Sequence, residues 1–338
     1  MLALAEITVW HWIGFIVLIL FFLAMDLGVF HKHAHVVQVK EALAWTSVWF
    51  SMAMLFAGSV YYWRGRQEAV EFITGYVIEY SLSMDNVFVI AMIFAYFRVP
   101  DKYQHRVLFW GILGALIMRG IMIGAGSELV KRYHWILYFM GAFLVFSGIK
   151  MLFVADEGVH PEKNPVLKLA RKFFPVTTEF HEQKFIVRIP AADGSGKLVR
   201  ALTPLAMVLL MVETTDLIFA VDSIPAIFAI TQKPFIVFTS NVFAILGLRS
   251  LYFLLAGAIR YFRYLKTGLS FVLVFIGLKM LLPWVQEQFN LWPGAKIPTT
   301  LSLCVVLTII LLSIAVSVLK TWMEGRSGAG SEPPVKPA

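Results

Sequence analysis

The 338-residue sequence predicts an all-α polytopic membrane protein with about nine transmembrane helices, six of them forming a 3+3 inverted-topology repeat. Three observations carry this. The composition is 59% apolar and only 15% charged, with a mean hydropathy of +0.77, too little charge to clothe a water-soluble surface. Nine stretches reach the roughly 20 mostly apolar residues that a span requires. The polar residues inside those stretches also recur in one order in two parts of the chain.

The spans cover residues 9–30, 42–63, 70–97, 107–125, 134–153, 201–230, 235–257, 267–283 and 299–320. The first is preceded by Glu6 but by no basic residue, and no small-residue cleavage pattern follows Phe30, so it reads as a retained helix and not a secretion signal. Trp10, Trp12, Tyr61, Tyr62, Trp63, Trp135 and Trp284 fall at span ends, where amphipathic rings anchor at the membrane surface.

Lys and Arg total 29 against 21 Asp and Glu, a formal charge of +8. In a soluble chain this excess would point to nucleic acid. Here the basic residues sit in the gaps between apolar runs, where they set orientation. The gaps 31–41, 98–106, 154–200 and 258–266, with the tail from Lys320, hold 19 of them; the alternate gaps hold 6, namely Arg64, Arg66, Lys131, Arg132, Lys233 and Lys296. The first set is therefore expected in the cytoplasm, with the N-terminus outside and the C-terminus inside. The single cysteine, Cys304, excludes a disulfide framework or thiolate cluster within the chain.

The expected organisation is two peripheral helices over 1–69, a first three-helix repeat over 70–153 and a cytoplasmic loop over 154–200. A second, inverted repeat follows over 201–283, then a ninth helix within 284–323 and a disordered tail over 324–338. Within the loop, residues 165–174 read as a short basic interfacial helix, and 184–202 as a hairpin turning at Asp193, Gly194, Ser195 and Gly196.

The repeat is written in polar residues. Glu79, Asp85 and Asn86 in the third span match Asp216, Asp222 and Ser223 in the sixth. Arg119 in the fourth matches Arg249 in the seventh, and the run from Gly148 through Lys150 in the fifth matches that from Gly277 through Lys279 in the eighth. A unit of three spans enters the membrane the second time from the opposite side, and in such architectures an ion or substrate binds near the midplane between the units.

Central charges cost roughly 2.5 to 3.5 kcal/mol each on insertion scales. Five central acids, Glu79, Asp85, Glu213, Asp216 and Asp222, face only two deep arginines, Arg119 and Arg249. The excess negative charge calls for a bound cation, protons, or both. Neighbouring Asn86, Ser81, Ser83, Thr214, Thr215 and Ser223 add neutral oxygens. Structural ion pairing with the two arginines is the plainer reading, and it leaves three acids unpaired. Asp26, near the inner end of the first span, is a further candidate. Lys150 and Lys279 lie near span ends and read as snorkelling cations.

On an unbroken helix, Glu79 and Asp85 point about 120° apart, as do Asp216 and Asp222. Pro225 supplies a reason for an interruption in the sixth span: it cannot bond the carbonyl of Val221, which would be left beside Asp222 for a cation. Oxygen donors suit Mn²⁺, Ca²⁺ or Mg²⁺ over Cu⁺ or Zn²⁺, and the residues alone do not separate Mn²⁺ from Ca²⁺. Met84 and Met211 adjoin the acids as packing residues or softer donors. Acids that accept either protons or a divalent ion couple the two by competition, which points to cation/proton antiport. His31, His33 and His35 form a cluster past Asp26 that reads as a solvated loop, with a pH sensor or metal entrance as the alternative.

The segments 78–88 (IEYSLSMDNVF) and 212–226 (VETTDLIFAVDSIPA), with Thr239, Ser240, Asn241, Gly247, Leu248 and Arg249 beyond them, resemble the signature segments of the TerC family of integral membrane proteins. The likeness spans about residues 10–320 and is greatest to the alkali-inducible Alx branch. It implies a bacterial inner-membrane protein linked to manganese export, metal homeostasis and pH response, and favours Mn²⁺ over Ca²⁺. The family's acidic positions fall on Glu79, Asp85, Glu213, Asp216 and Asp222, with Asn86 beside them, and that of its first span on Asp26. Tyr80 stands where the likeness leads one to expect a basic residue. Tellurite, for which the family is named, is an anion that fits an acidic midplane poorly.

The leading expectation is a secondary transporter exporting Mn²⁺, not an enzyme. An intramembrane aspartyl protease would also draw acids from two helices, but Asp85 and Asp222 lack the Gly-x-Gly-Asp context. A non-transporting membrane scaffold in metal or pH stress is the alternative, and it would not require five central acids.

Overall fold

The computed structural model describes residues 7–25, 38–153, 161–190, 198–256, 264–289 and 297–328. Asp26, His31, His33, His35 and the turn residues Asp193 to Gly196 lie outside them, as does the tail from residue 329. The elements in order are α1 (Val9–Met25), α2 (Val39–Arg64), α3 (Arg66–Tyr96), α4 (Asp101–Arg132), α5 (Trp135–Phe153), a 3₁₀ turn (Pro161–Lys163) and α6 (Pro165–Phe173). Then come β1 (Ile186–Pro190), β2 (Leu198–Leu202), α7 (Pro204–Phe228), α8 (Pro234–Leu246), α9 (Leu248–Ala256), α10 (Leu265–Phe289) and α11 (Thr299–Gly328).

Among the described residues, eight helices are long and apolar enough to cross a membrane, with α8 and α9 counted as one span, Pro234–Leu255, that bends at Gly247. Eight of the nine expected spans are thus present at full length among the described residues. The remaining one, α1, has 17 described residues, about 26 Å of helix against a hydrocarbon core of roughly 30 Å. At the other end α11 runs to Gly328, into the stretch expected to be disordered.

The interior is built where α3 and the α8–α9 span pack between α4, α7 and α2. The α8–α9 span is the most enclosed, while α2, α5 and α11 leave most of their surface to lipid. Close approach between helices without a hydrophobic drive needs small side chains. Gly75 of α3 supplies it against α8: a Cβ there would lie 2.8 Å from Ser240 Oγ. Gly111 and Gly114 of α4 do the same against Val212 and Glu213 of α7. The hydroxyls in these seams are bonded within their own helices, Ser240 to the carbonyl of Val237 at 3.1 Å and Thr239 to that of Phe235 at 2.8 Å.

The most extensive pairing joins α5 and α10, which run antiparallel with their backbones in contact. A Cβ on Gly148 would meet the Ser270 carbonyl oxygen at 2.8 Å and the Val274 amide nitrogen at 3.1 Å; one on Gly277 would meet the Gly141 carbonyl oxygen at 2.6 Å and the Val145 amide nitrogen at 2.9 Å. Each position in the first contact has its counterpart 129 residues away in the second. The pairing of α3 with α8 is likewise matched by that of α7 with α4. These symmetric contacts follow the correspondence read from the polar residues.

The basic end of the bundle holds the start of α4, the loop between α5 and α7, and the start of α10. As expected, the loop forms a short helix, α6, whose Asn164 side chain caps the amides of Val166 and Leu167, and a hairpin, β1 paired antiparallel with β2. Leu167 is buried against the body.

Candidate functional site

Three helices bring the polar groups together. On α3, Glu79, Ser83 and Asn86 recur at spacings of four and three, so they share one stripe, and all are buried. On α7, Asp216 and Ser223 lie two turns apart and are buried as well. From α4 comes Arg119, 1% exposed and the largest fully enclosed side chain among the described residues.

Arg119 is the hub. Its Nη2 donates to Asp216 Oδ1 at 2.8 Å and its Nε to Oδ2 at 3.1 Å, the planar two-point grip that a guanidinium makes on a carboxylate. Its Nη1 donates to Glu79 Oε1 and to Ser223 Oγ, the latter at 3.2 Å. Asn86 Nδ2 lies 3.4 Å from Asp216 Oδ1. Glu79 and Ser223 therefore stand at one level, and Asn86 and Asp216 at the next. Each helix offers its acid opposite a neutral polar side chain of the other, the Ser223 hydroxyl facing Glu79 and the Asn86 amide nitrogen facing Asp216.

This arrangement leaves oxygens over. Glu79 Oε2 and Asn86 Oδ1 are buried and have no hydrogen-bond partner. A buried polar atom so left costs about 1–3 kcal/mol, which marks the place for a ligand or water. Both residues line a cavity of about 40 Å³ together with Leu82 and Asp85 of α3, Phe219, Asp222 and Ser223 of α7, Met151 of α5 and Leu273 of α10. A single water needs only about 10–15 Å³ by a comparable measure, so there is room for a small cation with little of its water. Ser147 and Lys150 of α5 face Asp222. Glu79, Asp85 and Asp222 share this cavity without converging on one point: among the described residues no three of His, Cys, Asp and Glu form a group that could hold a metal ion. The guanidinium of Arg119, set between Glu79 and Asp216, is one physical reason.

Glu79, Asp85, Asn86, Asp222 and Ser223 line the cavity, and Asp216 joins it through Arg119 and Asn86. Glu213 stands apart, its carboxylate laid over Gly114 of α4, where even a methyl group would overlap it. Arg249 is buried on α9, just past the bend. Lys150 is exposed, whereas Lys279 is half-buried and faces Glu71. Ser81, Thr214 and Thr215 donate to carbonyls of their own helices. The thioether at the cavity is that of Met151; Met211 instead accepts from Asn164 at 3.2 Å. Tyr80 stacks on Tyr76 and faces Gly247, so the expected basic position points away from the acids.

The interruption expected at Pro225 is absent. The proline lies in the last turn of α7, and the helix runs through it to Phe228, because only one amide bond is lost and the end of the helix is near. Nor does α3 break. The 120° between Glu79 and Asp85 is spanned by a cavity that wraps part of the helix surface, closed by α5 and α10.

A second polar cluster was not anticipated. At the end of the bundle opposite the basic loops, Glu68 and Glu71 of α3 are buried. Lys233, in the turn before α8, lies 3.3 Å from Glu68 and 3.1 Å from Glu71. Arg64 bonds Glu68 at 2.8 Å, and the Thr231 hydroxyl donates to Glu71 at 2.8 Å. The clue in the sequence was two acids three apart, on one helix face at a span's start.

The architecture and the buried polar core define a polytopic helical membrane protein. The chain belongs to the TerC family of integral membrane proteins, whose model matches residues 64–325. That membership sets it among membrane proteins and not among enzymes. It is 48% identical over 310 residues to an uncharacterized membrane protein of Myxococcus xanthus, covering 92% of each chain. It is 43% identical over 324 residues to the Escherichia coli (strain K12) protein provisionally named membrane-bound redox modulator Alx, covering 93% of this chain and 95% of that one. A Rickettsia bellii membrane protein is 39% identical over 309 residues, covering 91% and 97%. No solved structure matches.

Proposed function

We propose that this protein is a bacterial inner-membrane secondary transporter that exports a divalent cation, Mn²⁺, in exchange for protons, through a midplane site between two inverted three-helix repeats. The observation that carries the reading is the small buried cavity where Glu79, Asp85 and Asp222 meet the orphaned oxygens of Glu79 and Asn86. Such a site takes a hard cation, and protons compete for the same oxygens. Arg119 acts as a tethered cation that balances Glu79 and Asp216 while no ion is bound. Glu79, Asp85, Asn86, Asp216 and Asp222 supply ligands as the halves move, and Glu213 serves the approach. Ca²⁺ is the competing ion.

The repeats, 70–153 and 201–283, account for the two matched contacts between α5 and α10. The excess of basic residues supports an orientation with the loop 154–200 and the C-terminus in the cytoplasm and the N-terminus outside. Helical spans and bacterial relatives agree with the inner membrane. The redox role named for the Escherichia coli relative would have no dithiol to work with, since this chain has a single cysteine.

One observation favours the alternative of a non-transporting scaffold: the grip of Arg119 on two acids is also what a purely structural ion pair looks like. Thermal unfolding of the purified protein across Mn²⁺, Ca²⁺, Mg²⁺ and Zn²⁺, in wild type and Asp222→Asn, separates the two. Stabilisation by Mn²⁺ that the variant loses supports the site. An equal response in both, or Mn²⁺ flux in vesicles with no opposing proton flux, overturns it.

A further inference from the structure

The flank of α10 beside its contact with α5 carries a feature that the transport reading does not use. Where α10 crosses α11, Gly268 lets the helices touch, its would-be Cβ only 2.7 Å from Ser313 Cβ. Beside this crossing the two helices diverge and leave an open groove of about 600 Å³, in the size range of small-molecule sites. Phe271, Val274, Phe275 and Leu278 line it from α10, and Leu312 and Val316 from α11. Phe271, Leu278 and Leu312 are more than half exposed, so the groove opens sideways to lipid.

One end of the groove is polar. Tyr264 and Thr267 lie there, at the start of α10 on the basic end of the bundle. Lys320 of α11 reaches the Tyr264 hydroxyl and stands 5.0 Å from the centre of its ring. From Thr267 to Leu278 the groove follows α10 for about 16 Å at 1.5 Å per residue, close to the depth of one leaflet in a hydrocarbon core of roughly 30 Å. An apolar slot one leaflet deep, capped at its head by an ammonium and two hydroxyls, has the shape and charge of a phospholipid.

We propose that the groove between α10 and α11 holds one anionic phospholipid, its acyl chain against Phe271, Phe275 and Leu312 and its phosphate at Lys320 and Tyr264. The lipid fills a gap that the protein's own side chains leave. It also braces α10, which carries Leu273 of the cation cavity on its other side.

The test is lipid retention by the detergent-purified full chain, read by native mass spectrometry after adding phosphatidylglycerol or phosphatidylcholine. Wild type is expected to retain phosphatidylglycerol about fivefold better, the ratio that one basic residue near the surface provides. Lys320→Gln, an exposed change, abolishes that preference. Leu312→Trp fills the groove and lowers retention of both lipids, with the lipid-free melting temperature unchanged. Equal retention of the two lipids by wild type, or undiminished retention by Leu312→Trp, overturns the proposal. So does thermal stabilisation by glycerol phosphate as large as that by phosphatidylglycerol, which would assign a headgroup site without the groove.

Discussion

Arg119 and Asp216 are joined by two hydrogen bonds, 2.8 and 3.1 Å long, between α4 and α7. One guanidinium thus ties α4 to α7 beside the cavity. Both groups are buried, so each charge is balanced chiefly by the other.

Removing the guanidinium exposes what it balances. Arg119→Met should destabilise the protein by about 3–5 kcal/mol, the usual result of stranding a buried charge. Thermal unfolding in detergent measures it. On the transporter reading Mn²⁺ should restore more stability to this variant than to wild type, because two carboxylates then lack their tethered cation.

The cavity assigns different weights to acids that look alike in the sequence. Asp222→Asn should abolish stabilisation by Mn²⁺, whereas Glu213→Gln, altering a group laid over Gly114, should leave most of it. Mn²⁺ titrations followed by thermal shift distinguish them; equal loss in both would argue against the cavity as the site.

Proton competition has a definite sign. Protonated carboxylates do not bind a cation, so the thermal shift produced by a fixed Mn²⁺ concentration should be largest at alkaline pH and shrink as pH falls. Phe219→Leu, a cavity residue without ionisable groups, should keep the same pH profile.

The glycine seam gives a matched pair of variants. Gly148→Ala and Gly277→Ala each place a methyl group against backbone at 2.8 and 2.6 Å, and each should cost about 1–3 kcal/mol from overpacking. Gly124→Ala, with nothing within 4 Å, serves as the control and should be neutral or slightly stabilising.

Orientation is checked by labelling. With Cys304 replaced by Ser, a cysteine introduced at exposed Glu182 should react with an impermeant maleimide only from the cytoplasmic side, and one at exposed Arg66 only from outside.

Much of this was legible in the residues. Runs of apolar residues located eight full spans, since lipid leaves the backbone little choice but helix. Charge placed in such runs picked out Glu79, Asp85, Asp216, Asp222 and Arg119, because it is costly there. The pairing of Arg119 with two acids at once was not legible: it depends on how α4 leans between α3 and α7. Pro225 misled because its effect depends on distance from the helix end, which the sequence does not mark. The cluster of Glu68, Glu71 and Lys233 was not legible either, because acids near a span's start look solvated until a neighbouring turn folds across them.

The close contact of Gly148 and Gly277 with the facing helix also says how α5 and α10 can move. The glycines add no side chain of their own to the seam, and what they meet is backbone together with the methyl groups of Val274 and Val145, each 2.8 Å from a would-be Cβ. The pair can pivot about that point like a bearing, but it cannot slide along its length without driving valines into carbonyl oxygens. A change in the shape of the cavity that begins at these two helices is therefore expected as a rotation and not as a slide.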